Sequence, residues 1–128
     1  MRGELITVYG KTDGTNTTGT LTLTSPTFTN TPTYIKLDKH MKIKIWARRV
    51  AEAPATIYVQ YTNDVTADTP EWQTIDAIHL ADEGELDLEK RRPIVIICRT
   101  GKEAIRFTWE QTTAGVTHVT FDIEIEPL

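Results

Sequence analysis

Residues able to carry out chemistry are few in this chain and stand far apart. Cysteine occurs once, as Cys98, and serine once, as Ser25 directly before Pro26. Nucleophilic catalysis needs such a group activated by a neighbouring base. Cys98 closes the run Ile94-Val95-Ile96-Ile97-Cys98, the most apolar stretch of the sequence. A free cysteine there behaves as a small hydrophobe, and nothing adjacent supplies the cationic surroundings a thiolate requires. Ser25 is not in a nucleophile-elbow context. His40, His79 and His118 are widely separated, with no H-E-x-x-H pattern and no paired cysteines, so zinc-site spacing is missing.

Carboxylates come closer to a constellation. Asp122 and Glu124 fall two apart in an alternating run, which puts them on one strand face about 7 Å from each other. Glycosidases work with two carboxyl groups, but acidic side chains on a wet strand face are ordinary. The same holds for Asp76. The Asn63–Asp68 loop, with Asp82 and Glu83, offers oxygen ligands for calcium without EF-hand spacing. Gly10, Gly14 and Gly19 precede no helix that would cradle a phosphate. The residues therefore predict no enzyme, no catalytic residue, no cofactor and no metal. Asn16-Thr17-Thr18 fits the N-glycosylation acceptor pattern, relevant only in a glycosylating compartment.

The elements that would position these groups are strands. Apolar residues recur at every second position, as in half-buried β-structure. Ile43, Ile45 and Ala47 share a face; so do Ile57, Val59 and Tyr61, then Ile105, Phe107 and Trp109, then Val119, Phe121, Ile123 and Ile125. Turn-forming clusters separate them, among them Thr12-Asp13-Gly14, Glu52-Ala53-Pro54, Asp82-Glu83-Gly84, Thr100-Gly101-Lys102 and Thr113-Ala114-Gly115. The spacing predicts strands near 4–9, 19–24, 33–37, 41–49, 56–62, 72–80, 85–88, 93–98, 103–110 and 116–126. The fold class expected is all-β, a single antiparallel β-sandwich or jelly roll. Its core should hold Ile45, Ile57, Val59, Ile96, Phe107, Val119, Phe121 and Ile123.

Two parts of the chain divide by composition. Residues 1–33 are rich in threonine, with Leu21, Leu23 and Phe28 the sparse large apolar side chains from Thr7 onward. Threonine favours extended backbone but buries little. This segment reads as an arm ordered by a neighbouring molecule or as an edge hairpin, with 34–128 as the sandwich domain. At 128 residues the chain is long enough for a core without disulfides. Its net charge of −4 disfavours nucleic-acid binding, which rests on many cationic contacts. No segment reaches the roughly 18 apolar residues of a membrane helix, and Met1-Arg2-Gly3-Glu4 does not begin a signal peptide. The expectation is a protein made in the cytoplasm, with no membrane partner.

Charges come in blocks. Lys36, Lys39, Lys42, Lys44, Arg48 and Arg49 form a basic stretch; Asp82, Glu83, Glu85, Asp87 and Glu89 form an acidic one. Either these are solvated strand faces or they are complementary patches that meet between subunits. Trp46 alternates with Lys44 and Arg48, and Tyr58 with Ile57 and Val59, which puts both aromatics on polar strand faces, where interface residues are enriched. The interface candidates are thus Trp46, Tyr58, Lys44, Arg48, Glu85 and Asp87.

Ile57-Tyr58-Val59-Gln60-Tyr61-Thr62-Asn63-Asp64 followed by Trp72-Gln73-Thr74-Ile75 resembles the strand, Asp-containing loop, Trp and strand unit of β-sandwich domains on phage and viral particles and in some bacterial surface modules. Gly101-Lys102-Glu103-Ala104-Ile105-Arg106-Phe107 and Gly115-Val116-Thr117-His118-Val119 fit its closing hairpin. The loop from Asp64 to Pro70 is longer than the short Asp-Gly turn of the commoner form, so no functional residue carries over. The resemblance implies a virion structural protein made in the host cytoplasm, a capsid decoration or minor capsid or tail component. It also implies a homo-oligomer, with a trimer favoured because such proteins often cap three-fold positions. The other reading of the sequence is a carbohydrate-binding or adhesive β-sandwich module, which would expose coplanar aromatics on one face.

Overall fold

The computed structural model describes residues 4–26, 33–37, 41–50, 55–80, 94–98 and 101–127. Among them every regular element is a strand: β1 (Glu4–Lys11), β2 (Thr18–Thr20), β3 (Thr22–Thr24), β4 (Ile35–Lys36), β5 (Met41–Val50), β6 (Ala55–Thr62), β7 (Gln73–Leu80), β8 (Ile94–Cys98), β9 (Ala104–Gln111) and β10 (His118–Pro127). They form two antiparallel sheets, the first ordered β3-β1-β10-β5-β8 and the second β2-β9-β6-β7, with β4 also on β9. Strand β1 pairs with β10, β2 with β9, β5 with β8 and β6 with β7. First pairs with last and second with next-to-last, and successive pairs fall alternately in the two sheets. That nesting is a jelly roll. The strand expected at 85–88 lies outside the described residues.

The core forms where the alternation points inward from both sheets. All eight residues expected there are buried, together with Ile6, Val8, Leu21, Ile35, Leu37 and Ile43. At its centre Phe107 of the second sheet stacks on Phe121 of the first, with ring centroids 3.9 Å apart and planes 17° from parallel.

Among the described residues, the threonine-rich segment pairs into this sandwich from Glu4 to Thr24. Strand β1 is an inner strand of the first sheet, paired with β10 over eight residues. Strands β2 and β3, read from the sequence as one strand, belong to different sheets, and the chain crosses between them at the buried Leu21, whose N–H donates to the Phe107 carbonyl at 2.7 Å. Threonine contributes more than extended backbone here. Thr12 is fully buried; its hydroxyl donates to the Gly115 carbonyl and accepts from the Thr117 N–H, each at 3.0 Å. Sheet ladders and such side-chain bonds satisfy the backbone that a short apolar list would leave unpaired.

Close packing at Gly19 yields a prediction. A Cβ at this position would lie within 3.0 Å of three ring atoms of Trp109, a core residue. Overpacking of this kind typically costs about 1–3 kcal/mol. Gly19→Ala should therefore lower the unfolding free energy measured in urea by that amount, and an unchanged value would show that the indole shifts freely.

The turn after β1 is held by Asp13. Its Oδ1 accepts from the N–H groups of Thr15 and Asn16 at 2.8 and 3.0 Å, and its Oδ2 from the Asn16 side-chain amide at 2.8 Å. Hydrogen bonds from Asn16 and Thr15 favour the ionised form and bring the Asp13 pKa down to about 2. A folded-state pKa below the unfolded one stabilises the fold above about pH 4, and that contribution disappears as pH falls towards 2. A carboxyl-carbon NMR titration of Asp13 should show its midpoint near 2; a midpoint near 4 would mean that the turn does not hold the carboxylate.

Candidate functional site

The outward-facing residues of β1, β10, β5 and β8 make a surface with ordered composition. The ladders place Leu5, Glu124, Lys44 and Val95 in one row across the four strands. A second row holds Glu126, Lys42 and Ile97, and a third Thr7, Asp122 and Trp46. Tyr9 stands beside Thr120, which is opposite Arg48 in the ladder. The face is apolar at its two flanks and charged between them. Leu5 and Tyr9 are 67% and 56% exposed on one flank; Val95 and Ile97 are 49% and 46% exposed on the other. Between them Lys44 Nζ lies 3.6 Å from Glu124 and 3.4 Å from Glu126. Such part-exposed pairs add little stability, but they fix two parallel stripes, acidic on β10 and basic on β5. The Thr7 hydroxyl donates to Asp122 Oδ1 at 3.0 Å.

The sequence candidates divide between the two outer faces of the sandwich. Lys44 and half-buried Trp46 belong to the face just described, and Arg48 is in the same strand. Tyr58 is on the opposite side, on the outer face of the second sheet, where its hydroxyl donates to Glu110 at 3.0 Å. That bond keeps the Tyr58 proton on and raises its pKa. Glu85 and Asp87 lie outside the described residues, so the expected meeting of the two charge blocks rests on sequence alone. Within the chain, the acidic neighbour of the basic strand is β10.

The same second-sheet face carries Trp72, whose ring lies 4.5 Å beneath the Arg106 guanidinium and 6.3 Å from the Tyr34 ring. Arg106 Nε also donates to Gln60 Oε1 at 2.7 Å, and Gln60 Nε2 to the Thr74 hydroxyl at 3.1 Å. Trp109 is in the core. The three indoles therefore share no platform. Beside this face an open depression of about 230 Å³ is lined mostly by polar groups, among them Tyr61, Asn63, Asp64, Glu71 and Gln73. Small-molecule sites are usually apolar with a few placed polar groups, and this one is the reverse.

Among the described residues, those weighed for chemistry are not brought together. Asp122 and Glu124 do share a face, but it is the outer one, whereas Cys98 is fully buried. His79 is in the second sheet and bonds the Thr56 hydroxyl; His118 is in the first; His40 lies outside the described residues. Among the described residues no three His, Cys, Asp or Glu side chains are grouped to hold a metal. The sequence missed one buried polar cluster. The Cys98 thiol is 3.2 Å from both the Leu37 carbonyl and Glu103 Oε2, and Glu103 is itself buried. A carboxylate beside the thiol is the opposite of the cationic setting a nucleophilic cysteine needs.

Tyr61 completes this cluster through a hydrogen bond to Glu103. Desolvation, with the Glu103 charge and that bond, pushes its pKa up to about 12. A folded-state pKa above the unfolded value of about 10 stabilises the fold below pH 10 and loses that contribution as pH rises through about 12. Ultraviolet titration of the native protein should resolve Tyr61 near 12, and Glu103→Gln should bring it down. A Tyr61 midpoint unmoved by Glu103→Gln would remove the carboxylate as a cause.

No protein-family model matches the sequence, and no curated protein matches it. Among solved structures the chain is similar to Eiger TNF from S. frugiperda, at 12% identity over 100% of this chain and 94% of that one, with a TM-score of 0.45. That match is not to a virion protein, and the β-sandwich rests on this chain's own two sheets. The jelly-roll assignment rests on the strand order.

Proposed function

We propose that this chain is a non-enzymatic structural protein of a virus or virus-like particle, made in the host cytoplasm and acting through protein contact. The observation that supports this reading best is the outer face of the first sheet. Four exposed apolar side chains flank ordered acidic and basic stripes with a tryptophan between. Exposed large apolar side chains gathered on one face point to a contact surface, and complementary charge sets register. Jelly rolls serve both capsid proteins and lectins. The dispersed tryptophans, one in the core and one under Arg106, favour the first over the sugar-binding alternative.

The test is fractionation of producing cells on a density gradient. A structural component should travel with particles at fixed stoichiometry by quantitative mass spectrometry. Recovery only as free chain would contradict the proposal.

A further inference from the structure

We infer that the outer face of the first sheet docks a second copy of this chain, face to face, about a two-fold axis running parallel to β10 and β5 between them. The inference rests on reading that face as a protein contact and names its occupant. A two-fold pair in the plane of a sheet has two simple arrangements. An axis across the strands lays each strand over its own copy, so the Asp122, Glu124 and Glu126 stripe would meet another acidic stripe. An axis along the strands reverses the order β1-β10-β5-β8 and keeps each row at its own height. Strand β10 then lies over the partner's β5, and β1 over the partner's β8.

Two of the three rows make the second arrangement self-complementary; in the third, Asp122 falls on the second copy's Trp46. In the row Leu5-Glu124-Lys44-Val95, Leu5 falls on the second copy's Val95, and Glu124 on its Lys44. In the next row Glu126 falls on the second copy's Lys42. Exposed apolar flanks meet each other and opposite charges meet each other, as an isologous contact requires. The internal pairs from Lys44 to Glu124 and Glu126 remain available to be shared across the contact. Four strands about 4.8 Å apart and roughly seven residues long at about 3.4 Å each span roughly 450 Å² per copy. The total of roughly 900 Å² falls among weak, transient interfaces and below stable ones, so dissociation in the micromolar range or weaker is expected.

Introduced cysteines read the register, since the native Cys98 is fully buried and shielded from reagent. Stacked sheets lie about 10 Å apart, so a bismaleimide of that reach should join Leu5 of one copy to Val95 of the other. Leu5→Cys and Val95→Cys are both at exposed positions, and each variant should melt like the wild type. A mixture of the two should give a cross-linked pair that neither gives alone. A product from Leu5→Cys alone would overturn the axis, because it places like strands together. No product in the mixture, with both variants folded, would overturn the docking itself. Neither failure touches the gradient experiment, which reads particle association whatever occupies this face.

Discussion

A chain lacking residues 1–26 should fail to fold. The deletion removes β1, an inner strand paired with β10 over eight residues, and both small strands that continue from it. It also removes the buried side chains of Ile6, Val8, Leu21 and Leu23. Burial of each is worth about 1.5–3 kcal/mol, which together approaches the 5–15 kcal/mol that typically separates a folded domain from its unfolded state. Strand β10 would be left with an open edge carrying Phe121 and Ile123, an aggregation template. Circular dichroism should show no cooperative melt and the product should precipitate. A truncated chain that melts cooperatively within a few degrees of full length would restore the segment as a dispensable arm.

Phe121→Ala should cost about 3–5 kcal/mol. Its ring is fully buried and joins the two sheets by stacking on Phe107 at 3.9 Å. Phe107→Ala should cost a similar amount. The double variant should lose less than the sum, by about 0.5–1.5 kcal/mol for the aromatic pair. Urea unfolding measures all three. A loss below 1 kcal/mol for Phe121→Ala would mean that the sheets meet somewhere other than at this pair.

Alternation made the strands and their inner faces legible. Val119, Phe121 and Ile123 point inward while Thr120, Asp122 and Glu124 fall between them, and no other register buries the larger set. Period 2 says in or out and nothing about which sheet. Trp46 and Tyr58 therefore looked alike in the sequence although they stand on opposite faces of the molecule. The crossing at Leu21 was hidden for the same reason, since Thr20-Leu21-Thr22 reads as unbroken alternation. The segment before residue 27 has few large apolar side chains, so composition hides its place in the fold. Its backbone is instead paired in both sheets, and Thr12 is buried with its hydroxyl bonded twice. Glu103 opens an expected strand just after Gly101 and Lys102, and only the fold places it against Cys98. The charged stripes needed the ladders, because Lys44 and Glu124 are 80 residues apart in sequence and adjacent in space.

The outer face of the first sheet is expected to pair with a second copy of this chain. Sedimentation equilibrium of the intact chain tests it most directly, with Val95→Lys alongside. Val95 is exposed in the free chain, so the substitution leaves the core intact and places a charge in the apolar flank. The wild type should rise with concentration from the 14.5 kDa chain mass to twice that value, while Val95→Lys should stay at the chain mass with an unchanged melt. A wild type that remains at the chain mass at every concentration, or a Val95→Lys variant that associates equally well, would contradict the account.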